Sequence, residues 1–228
     1  MNFIKQNQKI ILPIVVVGAL IAIPLFWWLA SPLWRTDAVD EAFPFDIPSE
    51  TEMDAMSMEE KDEMIEEVVE QISADPALLD AMSEEQRTLL NEQMEEVAAT
   101  MPDKEMEEEM PEAADEWQVF GTGEFRDFDS FHQGSGTATI FQQGGQSVLR
   151  LENFEVTNGP DLHVLLVENP DATGSGDLGE YVDLGELKGN VGNQNYEIPV
   201  DIDLSQYGGV MIYCMPFHVV FSTAPLGN

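Results

Sequence analysis

An uninterrupted apolar run near the N-terminus constrains this chain most. Residues 10–30 are 21 positions without a charge, and at about 1.5 Å per residue such a helix crosses a hydrocarbon core of about 30 Å. Lys5 and Lys9 precede the run, and tryptophans at 27, 28 and 34 lie where an interfacial aromatic belt is expected. The sequence therefore predicts a single-pass transmembrane helix with its N-terminus in the cytoplasm and everything after it outside. A cleaved signal peptide is the alternative.

Acidic residues are concentrated behind this run. The chain carries 44 Asp and Glu against 9 Lys and Arg, a formal net charge of −35, and residues 36–116 alone hold 29 acids and 3 bases. This excess argues against nucleic-acid binding, which needs basic groups to meet phosphate. We interpret residues 1–35 as a cytoplasmic tail and membrane anchor, and residues 36–116 as an acidic, methionine-rich stalk that is partly helical or disordered.

Local signals predict a small helical hairpin within the stalk. Ser57 with Glu60, and Ser83 with Gln86, fit capping boxes. Asp75 precedes a proline that suits a helix start. Apolar residues follow at helical spacing in two stripes, which are Met64, Ile65, Val68, Val69 and Ile72, and Leu89, Leu90, Met94, Val97 and Met101. Residues 102–116 show no such stripe, so we expect a disordered linker extended by charge repulsion.

Nine of the twelve methionines lie in the stalk. Soft thioethers interleaved with carboxylates can bind copper(I) outside the cell, so copper binding is one hypothesis for them. The other interpretation is that Met64, Met94 and Met101 complete the apolar stripes and that the remaining methionines are tolerated in a solvated chain.

From about residue 117 the composition changes to short runs rich in Val, Ile, Thr, Phe and Tyr between Gly, Asn, Asp and Pro turns. This pattern is typical of all-β domains. Residues 143–145 predict a hairpin turn, and residues 157–160 a turn before the next strand. The predicted strands are GTATIFQ, SVLRLEN, DLHVLLVEN, YVDLGEL, NQNYEIP, GVMIYCM and HVVFSTA. Residues 117–228 are therefore expected to form a small β-sandwich or barrel around one core.

Several motifs in this region follow the order found in one known family. They are GTGEF, HQGSGTATI, LRLENFEVTNGPDLHVLLV, LGELKGNVGNQNYEIPVDIDLSQY and VMIYCMPFHVVFSTAPL. Over residues 120–226 the chain resembles the DM-thirteen (DM13) domain, an extracellular module labelled electron transfer and often found beside DOMON domains. The resemblance implies a compact β-rich domain outside the cytoplasm. It also implies that the family's near-universal cysteine, here Cys214, acts in redox chemistry as a free thiol or as a ligand to a prosthetic group such as haem.

Cys214 is the only cysteine of the chain, so an intramolecular disulfide is excluded, and an unpaired thiol in an oxidising compartment needs a reason. Alternation along its strand places it on one face with Val210 and Ile212, where it would be a small buried hydrophobe. A second interpretation makes it a ligand to copper or haem iron. The third is a redox or disulfide-exchanging thiol.

The ligand interpretation depends on the neighbours of Cys214. Met215, His218 and His163 add a thioether and two imidazoles, the donor types that soft-metal sites use. Because adjacent strand residues point to opposite faces, Cys214 and Met215 reach one ion only if Pro216 kinks the chain. A hydrogen-bonded core residue is the alternative for His163. His132, in a Gly-rich turn, is expected to be exposed.

The Gly- and Asn-rich run LKGNVGNQNY is interpreted as a tight β connection, with a ligand-facing surface as the alternative. Two function classes remain. The first is a tethered extracytoplasmic redox or electron-transfer module with a redox protein as partner. The second is a non-catalytic binding or cell-surface interaction module with a structural cysteine. Whether the chain is an enzyme stays open, because the sequence shows no catalytic constellation.

Overall fold

The computed structural model describes residue 48, residues 50–110 and residues 117–227. The predicted transmembrane run at residues 10–30 lies outside this part of the chain. Among the helices that are described, none combines the length and the apolarity needed to cross a membrane.

Four helices make up residues 50–98: α1 Glu50–Asp54, α2 Met58–Ala74, α3 Ala77–Ala81 and α4 Glu84–Ala98. Both predicted capping boxes are present. The Ser57 hydroxyl accepts from the Glu60 N–H while the Glu60 carboxylate accepts from the Ser57 N–H, and Ser83 and Gln86 repeat the arrangement. Reciprocal capping satisfies backbone donors that the first turn leaves free. The helix starts were therefore readable from the sequence.

The apolar stripes of α2 and α4 form the core of the helical segment. Ile65, Val68 and Ile72 on α2 and Leu90, Met94 and Val97 on α4 are buried. The buried Lys61 ammonium pairs with Glu96 and ties α2 to α4. The predicted hairpin is confirmed. Met94 is buried as the stripe interpretation predicts, whereas Met64 and Met101 are half-buried. Met53 and Met82 are also buried, although that interpretation placed them in a solvated chain.

The other described residues form a 3₁₀ helix, Leu204–Gln206, and ten strands: β1 Glu105–Glu107, β2 Gln118–Glu124, β3 Arg126–Asp127, β4 Gly134–Gln143, β5 Gln146–Val156, β6 Leu162–Val167, β7 Tyr181–Glu186, β8 Val191–Ile198, β9 Gly209–Cys214 and β10 Val219–Pro225. The strands form two five-stranded sheets, a first sheet ordered β1-β8-β5-β4-β2 and a second ordered β3-β10-β9-β6-β7. Neighbouring strands are antiparallel except β1 and β8. The all-β prediction is confirmed, as a two-sheet sandwich.

Each of the seven predicted runs falls on a strand, from β4 to β10. The hairpin turn is also where the sequence placed it: Gly144 and Gly145 join β4 to β5 with φ of +59° and +88°. Positive φ at both central residues matches the twist of the flanking strands, which is why glycine is favoured there.

Residues 102–110 differ from the prediction. They were expected to be a disordered linker, but β1 pairs in parallel with β8 and becomes an edge of the first sheet. Lys188 Nζ lies 2.9 Å from Glu108 Oε1, and the Asn195 N–H donates to Glu108 Oε2 at 2.7 Å. The prediction was wrong here because it considered only the repulsion among the acidic residues. It left out the Lys188 ammonium and the Asn195 N–H of the β domain, which bind Glu108. Residues 111–116 lie outside the described part.

The Gly- and Asn-rich run explains how β1 is held. Gly192 has a φ of +106°, and a Cβ at this position would lie 2.0 Å from the Met106 carbonyl oxygen, so glycine permits the close approach of β1. The buried Asn190 accepts from the Lys104 N–H at 2.6 Å and donates to Asp103 at 2.8 Å. The polar groups of this run therefore bind a segment of the same chain.

Candidate functional site

Cys214 ends β9 on the face of the second sheet that meets the first sheet. Its cross-strand partners are Leu162 and Val219. Ile212, two residues earlier and so on the same face, pairs with Ser222. A Cβ added to Gly134 of the first sheet would lie 2.3 Å from the Ser222 hydroxyl, which shows that this face points to the first sheet. Cys214 is 0 % exposed there, as the buried-hydrophobe interpretation predicts.

The Cys214 thiol is hydrogen-bonded to the surrounding backbone. It donates to the Pro160 carbonyl oxygen, with 3.1 Å between Sγ and O. Burial raises the pKa of the thiol to about 12; a hydrogen bond from Phe217 works against this rise, and the nearby Asp161 carboxylate adds to it. The thiol is therefore protonated at neutral pH, whereas the thiolate is the form that attacks disulfides and binds metals.

The structure does not bring the predicted soft ligands to Cys214. Met215 packs against a cluster on the opposite face of the second sheet, which includes Met211 and Tyr213. His163 is the cross-strand partner of Tyr213 and shares that opposite face. His218, with a φ of +57°, has its ring centroid 6.3 Å from that of Tyr213. The turn at Pro216 thus leaves Cys214 and Met215 on opposite faces, as strict alternation predicts.

Haem or copper held by Cys214 does not fit this arrangement. The thiol is protonated, excluded from solvent and already hydrogen-bonded to the Pro160 carbonyl oxygen. Cys214 also lines none of four surface cavities of about 210 to 540 Å³. Within the described residues, one group of three or more His, Cys, Asp and Glu side chains has donor atoms close enough to share an ion, and that group excludes Cys214.

That group surrounds His163. His163 Nδ1 lies 2.9 Å from both carboxylate oxygens of Asp183, and Nε2 lies 3.3 Å from Asp161 Oδ1. Glu186 is the cross-strand partner of His163. Donor atoms of Asp161, His163 and Glu186 all lie within 4.8 Å of one another. The sequence singled out His163 as a candidate ligand, and the structure surrounds it with carboxylates instead of the predicted sulfur atoms.

A turn held by the end of β9 positions Asp161. Asp161 has a φ of +48°, a left-handed conformation that Asp tolerates better than most residues. The Met215 N–H donates to the Asp161 carbonyl oxygen at 3.2 Å, next to the contact of the Cys214 thiol with Pro160. A Cβ at Gly159 would lie 2.4 Å from the Phe221 ring, so this turn also needs a glycine. Cys214 thus helps to fix the backbone that carries one carboxylate of the His163 cluster.

Sequence reasoning missed the three carboxylates. Asp161 stands two residues from His163, a spacing that places both on one face of an extended chain. Asp183 and Glu186 are three residues apart and would alternate, but a register shift between the His163 and Leu165 pairs lets both approach the imidazole. The proximity of Asp161 to His163 could be predicted from their spacing in the sequence. The proximity of Asp183 and Glu186 could not, because it depends on a strand register that the sequence does not specify.

His132 corrects another expectation. It was predicted to be exposed, but it is buried. Its Nδ1 lies 2.8 Å from Asp129 Oδ2, and its ring centroid lies 4.4 Å from that of Phe221 and 5.1 Å from that of Phe131. The Gly-rich turn folds onto β10, and an aromatic pocket with one carboxylate partner accounts for the burial.

Comparison with known families agrees with the resemblance over residues 120–226. Residues 124–226 match the family model described as "Electron transfer DM13". This match runs from the end of β2 through β10 and contains Cys214 and the whole His163 cluster. Neither the curated proteins nor the solved structures give a match.

Proposed function

Since residues 124–226 match the family model described as electron transfer DM13, we propose that this protein is a membrane-anchored electron-transfer protein whose DM13-like domain works outside the cytoplasm with a redox protein as partner. The family match, which covers β3 to β10, is the observation that carries this proposal. The uncharged run at residues 10–30 and the two lysines before it support the anchor and its orientation.

In this proposal Cys214 acts as a buried, protonated thiol. Its hydrogen bond to Pro160 holds the turn that leads into Asp161. The residues around the sulfur do not suit a haem or copper ligand, so any redox-active group of the domain is expected to bind without Cys214. Cys214 is then a positioning residue, and replacing it with serine should leave any cofactor in place.

Anaerobic purification of the full chain, from a host supplied with iron and copper, tests this role. Absorbance, metal analysis and thiol titration are compared between the wild-type protein and Cys214→Ser. We expect the same chromophore and metal content in both proteins, and a wild-type thiol that titrates only after unfolding. If the wild-type protein holds stoichiometric haem or copper and Cys214→Ser loses it, the structural role of Cys214 is overturned and Cys214 is a ligand.

A second candidate function is a non-catalytic binding or cell-surface interaction module. The observation that favours it is the complete burial of Cys214 in a hydrogen-bonded position, which is what a structural cysteine requires. A colourless, metal-free protein with no redox couple would support this candidate over electron transfer.

A further inference from the structure

Both nitrogens of the His163 ring face carboxylates, and this arrangement requires a cation. A neutral imidazole carries one N–H. If Nδ1 donates across the 2.9 Å contact to Asp183, Nε2 presents a lone pair to the Asp161 carboxylate oxygen 3.3 Å away. Two acceptors at this distance repel each other unless a proton or a metal ion lies between them.

Glu186 favours a metal ion over a proton. A proton on Nε2 satisfies Asp161 alone, whereas the donor atoms of Glu186 and Asp161 both lie within 4.8 Å of the His163 donor atom and of each other. Among the ion pairs of the described residues, none joins Asp161, Asp183 or Glu186 to a lysine or arginine. Three carboxylates therefore surround one imidazole, and one proton leaves an excess of negative charge.

The site has access to solvent. The side chains of His163, Asp161 and Asp183 are 17 %, 32 % and 34 % exposed, so ions can reach them from solution. Asp161 and Glu186 also line a surface cavity of about 210 Å³, whereas His163 and Asp183 lie outside its lining.

We propose that Asp161, His163 and Glu186 bind one divalent transition-metal ion, and that Asp183 orients the imidazole. A histidine that donates its second N–H to a carboxylate is the usual arrangement of a metal ligand, because the carboxylate fixes the tautomer and the ring. The imidazole selects a transition ion such as Zn²⁺, Fe²⁺ or Mn²⁺ over Ca²⁺, which takes oxygen ligands. Three protein ligands leave a position open for water or a further ligand. This site does not depend on the electron-transfer proposal.

Zn²⁺ titration of the full chain, labelled with ¹⁵N at histidine, tests the site without relying on redox activity. The chain has three histidines, of which the buried His132 serves as the internal reference. We expect one Zn²⁺ to shift the ring signals of His163 and to leave those of His132 unchanged. Zn²⁺ collected loosely by the acidic stalk would leave all three histidine signals in place.

The variants are chosen to preserve the fold. Asp161→Asn keeps a residue type that tolerates the φ of +48°, and Glu186→Gln keeps the shape of an exposed side chain. Each should weaken the Zn²⁺ response of His163 by more than about tenfold, since even loss of an orienting carboxylate costs about 10- to 100-fold in metal affinity. Asp183→Asn removes the orienting carboxylate and should weaken Zn²⁺ binding by about 10- to 100-fold. Glu197→Gln, an exposed residue on β8 in the first sheet, is the matched control and should titrate as the wild type does.

Unchanged reference signals of His132 in each variant show that the domain is still folded. Equal Zn²⁺ affinity in the wild type, Asp161→Asn and Glu186→Gln would overturn the proposal. It would also be overturned if Zn²⁺ saturated the chain while the His163 signals stayed in place.

Discussion

Removal of the Cys214 sulfur should loosen β9 by a predictable amount. The side chain is 0 % exposed and donates to the Pro160 carbonyl oxygen at 3.1 Å. In Cys214→Ala the lost atom costs about 1 kcal/mol of packing, comparable to one methylene. The lost hydrogen bond costs about 1 kcal/mol more. The sum of about 2 kcal/mol corresponds to an approximately 30-fold change in an opening equilibrium.

Cys214→Ser is the matched variant, because the hydroxyl still donates to Pro160 while the smaller oxygen loses part of the packing. We expect it to cost about 1 kcal/mol, or an approximately fivefold change. The order of stability is therefore wild type, then serine, then alanine.

Native-state hydrogen exchange of the full chain measures this difference. The Met215 amide, which donates to the Asp161 carbonyl oxygen, and the amides of β9 should exchange about 30-fold faster in Cys214→Ala. Amides of α4 in the helical segment are the internal control and should not change. If alanine exchanges as slowly as the wild type, the sulfur does not hold this turn. If serine exchanges as fast as alanine, the hydrogen bond contributes nothing.

Three further predictions concern pH, the β1 edge and the anchor. Because burial raises the pKa of the Cys214 thiol from 9.0 to about 12, its contribution to stability is intact below about pH 9. Above about pH 9 the unfolding free energy should fall by up to about 1.4 kcal/mol per pH unit. Urea titrations at pH 8 and 10 should therefore show a larger loss of unfolding free energy in the wild type than in Cys214→Ser. Equal losses in the two proteins would contradict this. Gly192→Ala places a Cβ against Met106 and should expose residues 105–107 to proteolysis, whereas Gly185→Ala, with the same φ of +106° and open space around it, should not; equal cleavage of the two variants would refute the close-approach argument. Residues 10–30 should keep the full chain in the membrane pellet at high salt and at alkaline pH, and release into the supernatant would refute the anchor.

The local features of the fold were predictable because they depend on neighbouring residues. Capping boxes at Ser57 and Ser83, the Gly144–Gly145 turn and the alternation in β9 all act over a few positions. These signals placed the hairpin, seven strands and the buried face of Cys214. Packing inside each element follows the same short-range periodicity.

The long-range contacts were not predictable in the same way. β1 reads as an acidic linker, and its pairing depends on Lys188, Gly192 and Asn190, more than 80 residues further along the chain. His132 is buried because Phe221 and Phe131 enclose it, and Phe221 lies near the other end of the domain. Both errors come from judging a segment by its own composition.

The candidate site was predicted in part for the same reason. Residue type identified Cys214, His163, His218 and Met215 as possible ligands, but strand alternation separates the first of these from His163 and Met215. The carboxylates that do surround His163 come from β7 and from the turn before β6, and their convergence depends on register. Residue types therefore suggested metal chemistry, and the pairing of strands determined which donors meet.

Electron transfer by the DM13-like domain is tested most directly by protein-film voltammetry of the full chain, isolated anaerobically with the metal content it acquires in an iron- and copper-supplied host. We predict a reversible redox couple that persists, at the same potential, in Cys214→Ser. The absence of a couple in the folded protein would contradict electron transfer and favour the binding-module function, and a couple lost only in Cys214→Ser would contradict the structural role of this thiol.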